Sequence, residues 1–170
     1  MDLKKYIVDV KDFPIEGIVF KDITPLLNDV EAFKYTVDEM VKQVKASQAT
    51  VIVAPEARGF LFASAVAYAA GCRFVLVRKP GKLPREVMNK EYKLEYGQGH
   101  IQMHIGDLQP GDKVAIIDDV LATGGTMQAI VNLVQDCQAS VEKIIFLADL
   151  SFLHDAKLFQ EYNSVSLITY

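Results

Sequence analysis

Five apolar runs of strand length, separated by longer amphipathic stretches, predict an α/β fold with a doubly wound, mostly parallel sheet. Three observations lead to that reading. The runs TVIVA at 50–54, RFVLVR at 73–78 and VAII at 114–117, with the segments 141–148 and 165–169, are apolar and of strand length. Segments between them carry apolar residues every three or four positions, the helical period. The 170 residues are 51% apolar and 24% charged, which excludes a disordered chain and fits one compact domain spanning 1–170.

The elements follow in order. Phe33, Val37, Met40, Val41 and Val44 share one helical face over 33–46, and Asn28 or Asp29 is placed to cap it. The strand at 50–54 ends at Pro55, and a small-residue helix over 59–70 follows. After the strand at 73–78, two prolines and a glycine make 79–85 a loop. Residues 91–96 and 100–104 alternate around Gly97, Gln98 and Gly99, which predicts a hairpin standing off the main sheet. The strand at 114–117 leads to a helix over 125–137, and 141–148 is a strand. Residues 151–162 read as a helix, and 165–169 as a last strand. In such sheets ligands bind beyond the carboxyl ends of the strands, so the informative loops are those after Ala54, Arg78 and Ile117.

The formal net charge of −4 argues against broad nucleic-acid binding, which needs many phosphate-neutralising cations. Cys72 and Cys137 form no CxxC and have no His at ligand spacing, so the expected compartment is a reducing cytoplasm. The longest uncharged stretch, 59–72, is too short for a bilayer, which takes about 20 apolar residues. The first ten residues have no apolar core of a secretion signal. His100 and His104 share a strand face without a third ligand, so they are expected to be structural or surface groups.

The strongest chemical signal is VAIIDDVLATGGT at 114–126. A buried strand delivers two carboxylates, then a small-residue loop, then a helix. Gly124 and Gly125 remove Cβ bulk and permit positive φ, so backbone N–H groups can converge on an anion. The helix start adds the positive end of its dipole. Thr123 and Thr126 add hydroxyls. Neither GxxxxGK[ST] nor GxGxxG occurs, which excludes a triphosphate P-loop and weakens a dinucleotide site. A phosphate loop behind Asp118 and Asp119 makes sense for a sugar phosphate, because carboxylates accept bonds from ribose hydroxyls and hold water on Mg²⁺.

This motif resembles the binding motif for 5-phosphoribosyl-1-pyrophosphate (PRPP) of the type I phosphoribosyltransferases, and ATGGT resembles its adenine-using branch. The resemblance implies that the backbone of Ala122, Thr123, Gly124, Gly125 and Thr126 takes the 5′-phosphate, and that Asp118 and Asp119 take the ribose hydroxyls. The segment FPIEGIVFKDITP at 13–25 resembles the family's base-binding segment: Phe20 would stack on adenine, and the backbones of Val19 and Lys21 would read its edge. Many relatives carry Arg at the position of Lys21, which matters little if main chain does the reading. APEARGF at 54–60 resembles the pyrophosphate loop, implying pyrophosphate contacts from Glu56, Ala57 and Arg58 and a cis peptide between Glu56 and Ala57. An arginine fork suits a diphosphate. RKPGKLP at 78–84 adds Arg78, Lys79 and Lys82, local positive charge where pyrophosphate leaves. YKLEYG at 92–97 resembles a hood strand, which implies Glu95 as the catalytic carboxylate near N7 of the purine, with Arg58 as the other catalytic residue. Gln102 stands where relatives often carry Glu.

The resemblance thus implies a hood of residues of about 1–30 and 88–105 folded onto the core, Mg²⁺ held by PRPP with Asp118 and Asp119 reaching it through water, and a homodimer. The expected activity is purine salvage, joining adenine to PRPP to give AMP and pyrophosphate. Two alternatives stand: a relative using another purine base, and a PRPP-sensing regulator on the same fold. Activity with each base separates the first, and a DNA-binding domain, for which this chain has no room, marks the second.

Overall fold

The computed structural model describes residues 1–93 and 98–170. An antiparallel ribbon comes first, β1 (Val8–Lys11) with β2 (Val19–Asp22), followed by a single helical turn, α1 (Thr24–Leu27). Then come α2 (Val30–Ser47), β3 (Val51–Pro55), α3 (Arg58–Ala70) and β4 (Arg73–Val77). A hairpin of β5 (Val87–Lys93) and β6 (Gln98–His104) precedes β7 (Lys113–Leu121), α4 (Gly125–Asp136), β8 (Ser140–Asp149) and β9 (Val165–Thr169).

The main sheet is parallel throughout, in the order β4-β3-β7-β8-β9. Side chains alternate along each strand, so the sheet feeds two cores. Ile52, Ala54, Ala115 and Ile117 face α2 and α3, where Met40, Val44, Phe62 and Val66 are buried. Val51, Val53, Val114 and Ile116 face α4, where Ile130, Val131, Leu133 and Val134 are buried. Helices on both faces make the sheet doubly wound, as the alternation of runs predicts. Asp29 caps α2, its Oδ1 accepting the N–H of Ala32 at 2.8 Å.

Three expectations need correction. The hairpin does not stand clear of the sheet: Arg78 and Gln102 exchange backbone hydrogen bonds of 2.9 and 2.7 Å, and Ile101 and Met103 enter the α4-side core. Its strands also differ from the expected bounds, since Gln98 and Gly99 are paired strand residues opposite Lys93 and Tyr92, not turn residues. Residues 151–162 are not a helix but two single 3-10 turns at Ser151–Leu153 and Gln160–Tyr162. Local bonds and tertiary contacts override the helical pattern there. Asp155 Oδ1 accepts the N–H of Lys157 at 2.7 Å, His154 Nε2 lies 2.7 Å from Asp149 Oδ1, and Phe159 turns left-handed at φ 63° to bury its ring.

Ile52 is fully buried on a central strand. Ile52→Ala should therefore lower unfolding free energy by about 2–5 kcal/mol, read from urea denaturation; an unchanged midpoint would contradict this placement of the core.

Candidate active site

Because the sheet is parallel, the carboxyl ends of β3, β4 and β7 lie along one edge. Each carries functional side chains that the sequence singles out. β7 runs further than the expected 114–117, so Asp118 and Asp119 are strand residues, with Asp118 in register with Phe146 of β8. Alternation sends the two carboxylates to different sides of the strand.

Asp119 is 4% exposed and meets Arg58, whose Nε lies 2.8 Å from its Oδ2. The contact is an ion pair without good hydrogen-bond alignment, so Asp119 Oδ2 and Arg58 Nη1 are buried with no hydrogen-bond partner among the described residues. Asp118 keeps some exposed surface but sits deep, its Oδ1 accepting the N–H of Asp119 at 2.8 Å. Burial first, then the charge of Asp119, holds the Asp118 carboxyl well above the ordinary carboxylate range. Burial also raises Asp119, against the pull of Arg58.

Arg58 opens α3, and its guanidinium carbon lies 4.7 Å from the centroid of the Phe20 ring. One side chain thus links the acid pair to the N-terminal ribbon. Phe13 meets Phe20 edge-on, with centroids 5.1 Å apart. Lys21 points elsewhere: its Nζ bonds Asp9 Oδ1 at 2.7 Å and lies 3.8 Å from the Tyr170 ring centroid. Val19, at the start of the same strand, is half-exposed.

The turn after β3 holds Glu56 and Ala57, and their peptide is cis, as is Phe13–Pro14. Glu56 joins this turn to the end of β4. Its Oε1 accepts the N–H of Lys79 at 2.6 Å, and Arg78 Nη2 lies 3.4 Å from its Oε2. Burial works against the charge of Glu56, but the Lys79 N–H, then Arg78, then Lys82 outweigh it and hold the carboxyl below its ordinary range. Lys79 and Lys82 are exposed, and Arg78 is half-buried. Arg85, the fourth cation of the run, faces away from the site to His104 and Asp107. His104 is accordingly a buried structural group; His100 is exposed beside Asn89. Between the two loops lies a cavity of about 240 Å³ lined by Glu56, Arg78, Lys79, Tyr92 and Thr126.

A smaller cavity of about 110 Å³ is lined by Asp118 and by residues 120–127 with Phe146. It is too small for a whole nucleotide, since drug-sized ligands fill roughly 300–1,000 Å³. It is bounded by the start of α4, which has no side-chain cap. Its first amides are therefore the kind of donor set that an oxyanion satisfies. Gly124 has φ 86°, and a Cβ there would stand 2.6 Å from Leu158 Cδ2. Gly125 backs onto β5, where a Cβ would stand 3.1 Å from the Lys93 carbonyl oxygen. Among the described residues no group of three or more His, Cys, Asp or Glu could hold a metal ion. The arrangement can bind an anion at the loop and a second, more highly charged one near Arg58 and Arg78. The acid pair lies beside the first.

Residues 26–165 match the family model of the phosphoribosyl transferase domain. The adenine phosphoribosyltransferase of Mycoplasma mycoides subsp. mycoides SC is 65% identical over 170 residues, covering 100% of both chains. The chain belongs to the adenine phosphoribosyltransferase family. Among solved structures, the enzyme of Thermoanaerobacter pseudethanolicus superposes with a TM-score of 0.95 at 46% identity, covering 99% of this chain and 98% of that one. The Saccharomyces cerevisiae enzyme, solved with an iminoaltritol bisphosphate and adenine, has a TM-score of 0.87 at 33% identity and covers 97% of this chain and 94% of its own.

Within this family member, the structure brings together Phe20, Arg58, Asp118, Asp119 and the loop 122–126, and joins Glu56 to Arg78 and Lys79. Glu95 lies outside the described residues. Leu158 and Phe159 lie outside the sequence motifs, and Gly59 and Tyr92 lie inside APEARGF and YKLEYG without a role assigned to them there. Gly59 lets α3 approach β7, since a Cβ there would stand 3.0 Å from Asp118 Oδ1. Leu158 and Phe159 back the phosphate loop. Tyr92 lines the larger cavity.

The raised Asp118 carboxyl has a consequence for stability. Its folded-state pKa lies above the unfolded one, so the folded state binds the extra proton between the two, and stability falls as pH rises through that window. Asp118→Asn removes the penalty. The variant should resist urea better than the parent at pH 7, with the advantage vanishing as pH drops below the unfolded carboxylate pKa of about 4. An Asn variant that is less stable at pH 7 would contradict the burial assigned to Asp118.

Proposed function

We propose that the protein catalyses the purine-salvage reaction of its family: transfer of the 5-phosphoribosyl group of PRPP to N9 of adenine, giving AMP and pyrophosphate. The observation that carries the site assignment is the Arg58 bridge, which sets the Phe20 ring and the buried Asp119 on either side of one guanidinium. The amides of 122–126 bind the 5′-phosphate, and Asp118 and Asp119 accept the ribose hydroxyls. Phe20 stacks on adenine while the backbones of Val19 and Lys21 read its edge. The yeast relative was solved with adenine, which supports that choice of base.

Displacement at C1 of the ribose builds positive charge on the sugar and negative charge on the leaving diphosphate. Asp118 and Asp119 favour the first. Arg58, Arg78, Lys79 and Lys82, with the Ala57 amide of the Glu56–Ala57 turn, favour the second; the Glu56 N–H is already given to the Val77 carbonyl. Glu95 handles the proton of the base. Mg²⁺ fits this donor set as an ion carried on the diphosphate, because two carboxylates without a third ligand suit a water-linked contact. When bound it neutralises the leaving group.

The β1–β2 ribbon and the β5–β6 hairpin serve as a hood over one domain, excluding water from PRPP. Function as a homodimer in a reducing cytoplasm completes the reading; the free, half-buried Cys72 and Cys137 fit that compartment, and among the described residues no helix can cross a membrane.

The test is to mix the protein with Mg²⁺, PRPP and adenine, hypoxanthine, guanine or xanthine in turn, and follow nucleotide by chromatography. AMP from adenine, far above product from the other bases, is expected; preference for another base would overturn the substrate. Glu95→Gln should lower turnover by at least about a hundredfold, the usual scale for a general acid or base, and leave PRPP affinity near the parent's. Equal loss of both would refute its proton-handling role.

A further inference from the structure

Tyr92 stands directly opposite Gly99 in the hairpin. A Cβ built on Gly99 would lie 2.8 Å from both Cε1 and Cε2 of the Tyr92 ring and nearer still to its Cζ. The ring therefore lies on the bare backbone of Gly99, the space where a side chain would be. Gly99 has no positive φ that demands glycine; its neighbour's ring demands it. The same ring reaches the phosphate loop, where a Cβ on Gly125 would stand 3.7 Å from Tyr92 Cδ2. It also lines the cavity shared by Glu56, Arg78, Lys79 and Thr126.

We propose that the Tyr92 ring is a positioning residue: a spacer, seated on Gly99 and facing Gly125, that sets the hairpin at the Tyr92–Gly99 pair against the phosphate loop. The rest of the hairpin is held by other means. Lys90 Nζ lies 2.6 Å from Asp136 Oδ2, Arg78 pairs with Gln102, and Met103 is fully buried. These anchors lie toward its root. Tyr92 pairs with Gly99 one step before the last described pair, Lys93 with Gln98, and the chain then leads to Glu95. The phosphate loop does not need the ring for its own shape, because Gly124 is backed by Leu158 and Phe159 and the loop runs into α4. Losing the spacer should therefore misplace the hairpin and spare the phosphate grip, so the damage falls on turnover.

This inference rests on the proposed reaction and on Glu95 as its carboxylate. The experiment compares the parent with Tyr92→Phe, Tyr92→Ala, Gly99→Ala and the double variant Gly99→Ala/Tyr92→Ala. It measures kcat for AMP formation, PRPP affinity by calorimetry without base, and thermal midpoint. Alanine in a strand is ordinarily no worse than glycine, so a loss at Gly99→Ala reports the ring. Tyr92→Phe keeps the ring and should stay within about threefold of the parent kcat. Tyr92→Ala and Gly99→Ala should each lose about tenfold or more in kcat, with PRPP affinity within about threefold. The double variant should be no worse than Tyr92→Ala alone, because the clash is gone.

Additive losses in the double variant would overturn the proposal. So would a Tyr92→Phe loss as deep as that of Tyr92→Ala, which would assign the role to the hydroxyl, or parallel losses of kcat and PRPP affinity. A parent that forms no AMP refutes the reaction itself; an active parent whose variants match it refutes only the spacer.

Discussion

Two neighbouring carboxylates, Asp119 buried and Asp118 half-buried, sit at the end of the central strand, and among the described residues one arginine is the counter-ion found against them. Burial of a charge is expensive unless paired and hydrogen-bonded. Here the pairing is incomplete, for Asp119 Oδ2 and Arg58 Nη1 lack aligned partners among the described residues. Both acids titrate above their ordinary range. A protein shaped for stability alone would place apolar side chains at these positions. Retaining the acids keeps hydrogen-bond acceptors in a low-dielectric site, where they act strongly on any neighbouring positive charge.

Around that pair the site is built by omission of side chains. Gly59 lets α3 close on Asp118, Gly124 leaves room for Leu158, and Gly125 leaves room for β5. Gly124 and Gly125 bring two different elements against the loop 122–126, while Gly59 brings α3 against the end of β7. The loop 122–126 is thereby braced by the C-terminal turns on one side and the hairpin on the other. Preorganised donors need no rearrangement when charge develops.

The main sheet was legible because buried parallel strands read as short apolar runs, and the runs at 50–54 and 165–169 fall on β3 and β9 almost residue for residue. The phosphate loop was legible because its chemistry is local: acids, glycines and helix start are consecutive. What depends on distant neighbours was not. The pattern at 151–162 has helical spacing, yet Phe159 turns left-handed toward Gly124 and the α4-side core, and no local feature announces that. Arg85 looks like Arg78 in sequence but bonds His104 and Asp107. The ribbon at the N-terminus is hidden because only four residues of each strand pair, too few for a periodicity to emerge.

Arg58 has two partners, the Phe20 ring and Asp119, with which the diphosphate of the proposed reaction would compete. The most direct test is a crystal structure of the protein soaked with AMP. The account predicts phosphate density against the amides of 122–126, ribose hydroxyls at Asp118 and Asp119, and the adenine ring on Phe20. AMP bound with its phosphate away from that loop, or its base away from Phe20, would contradict it.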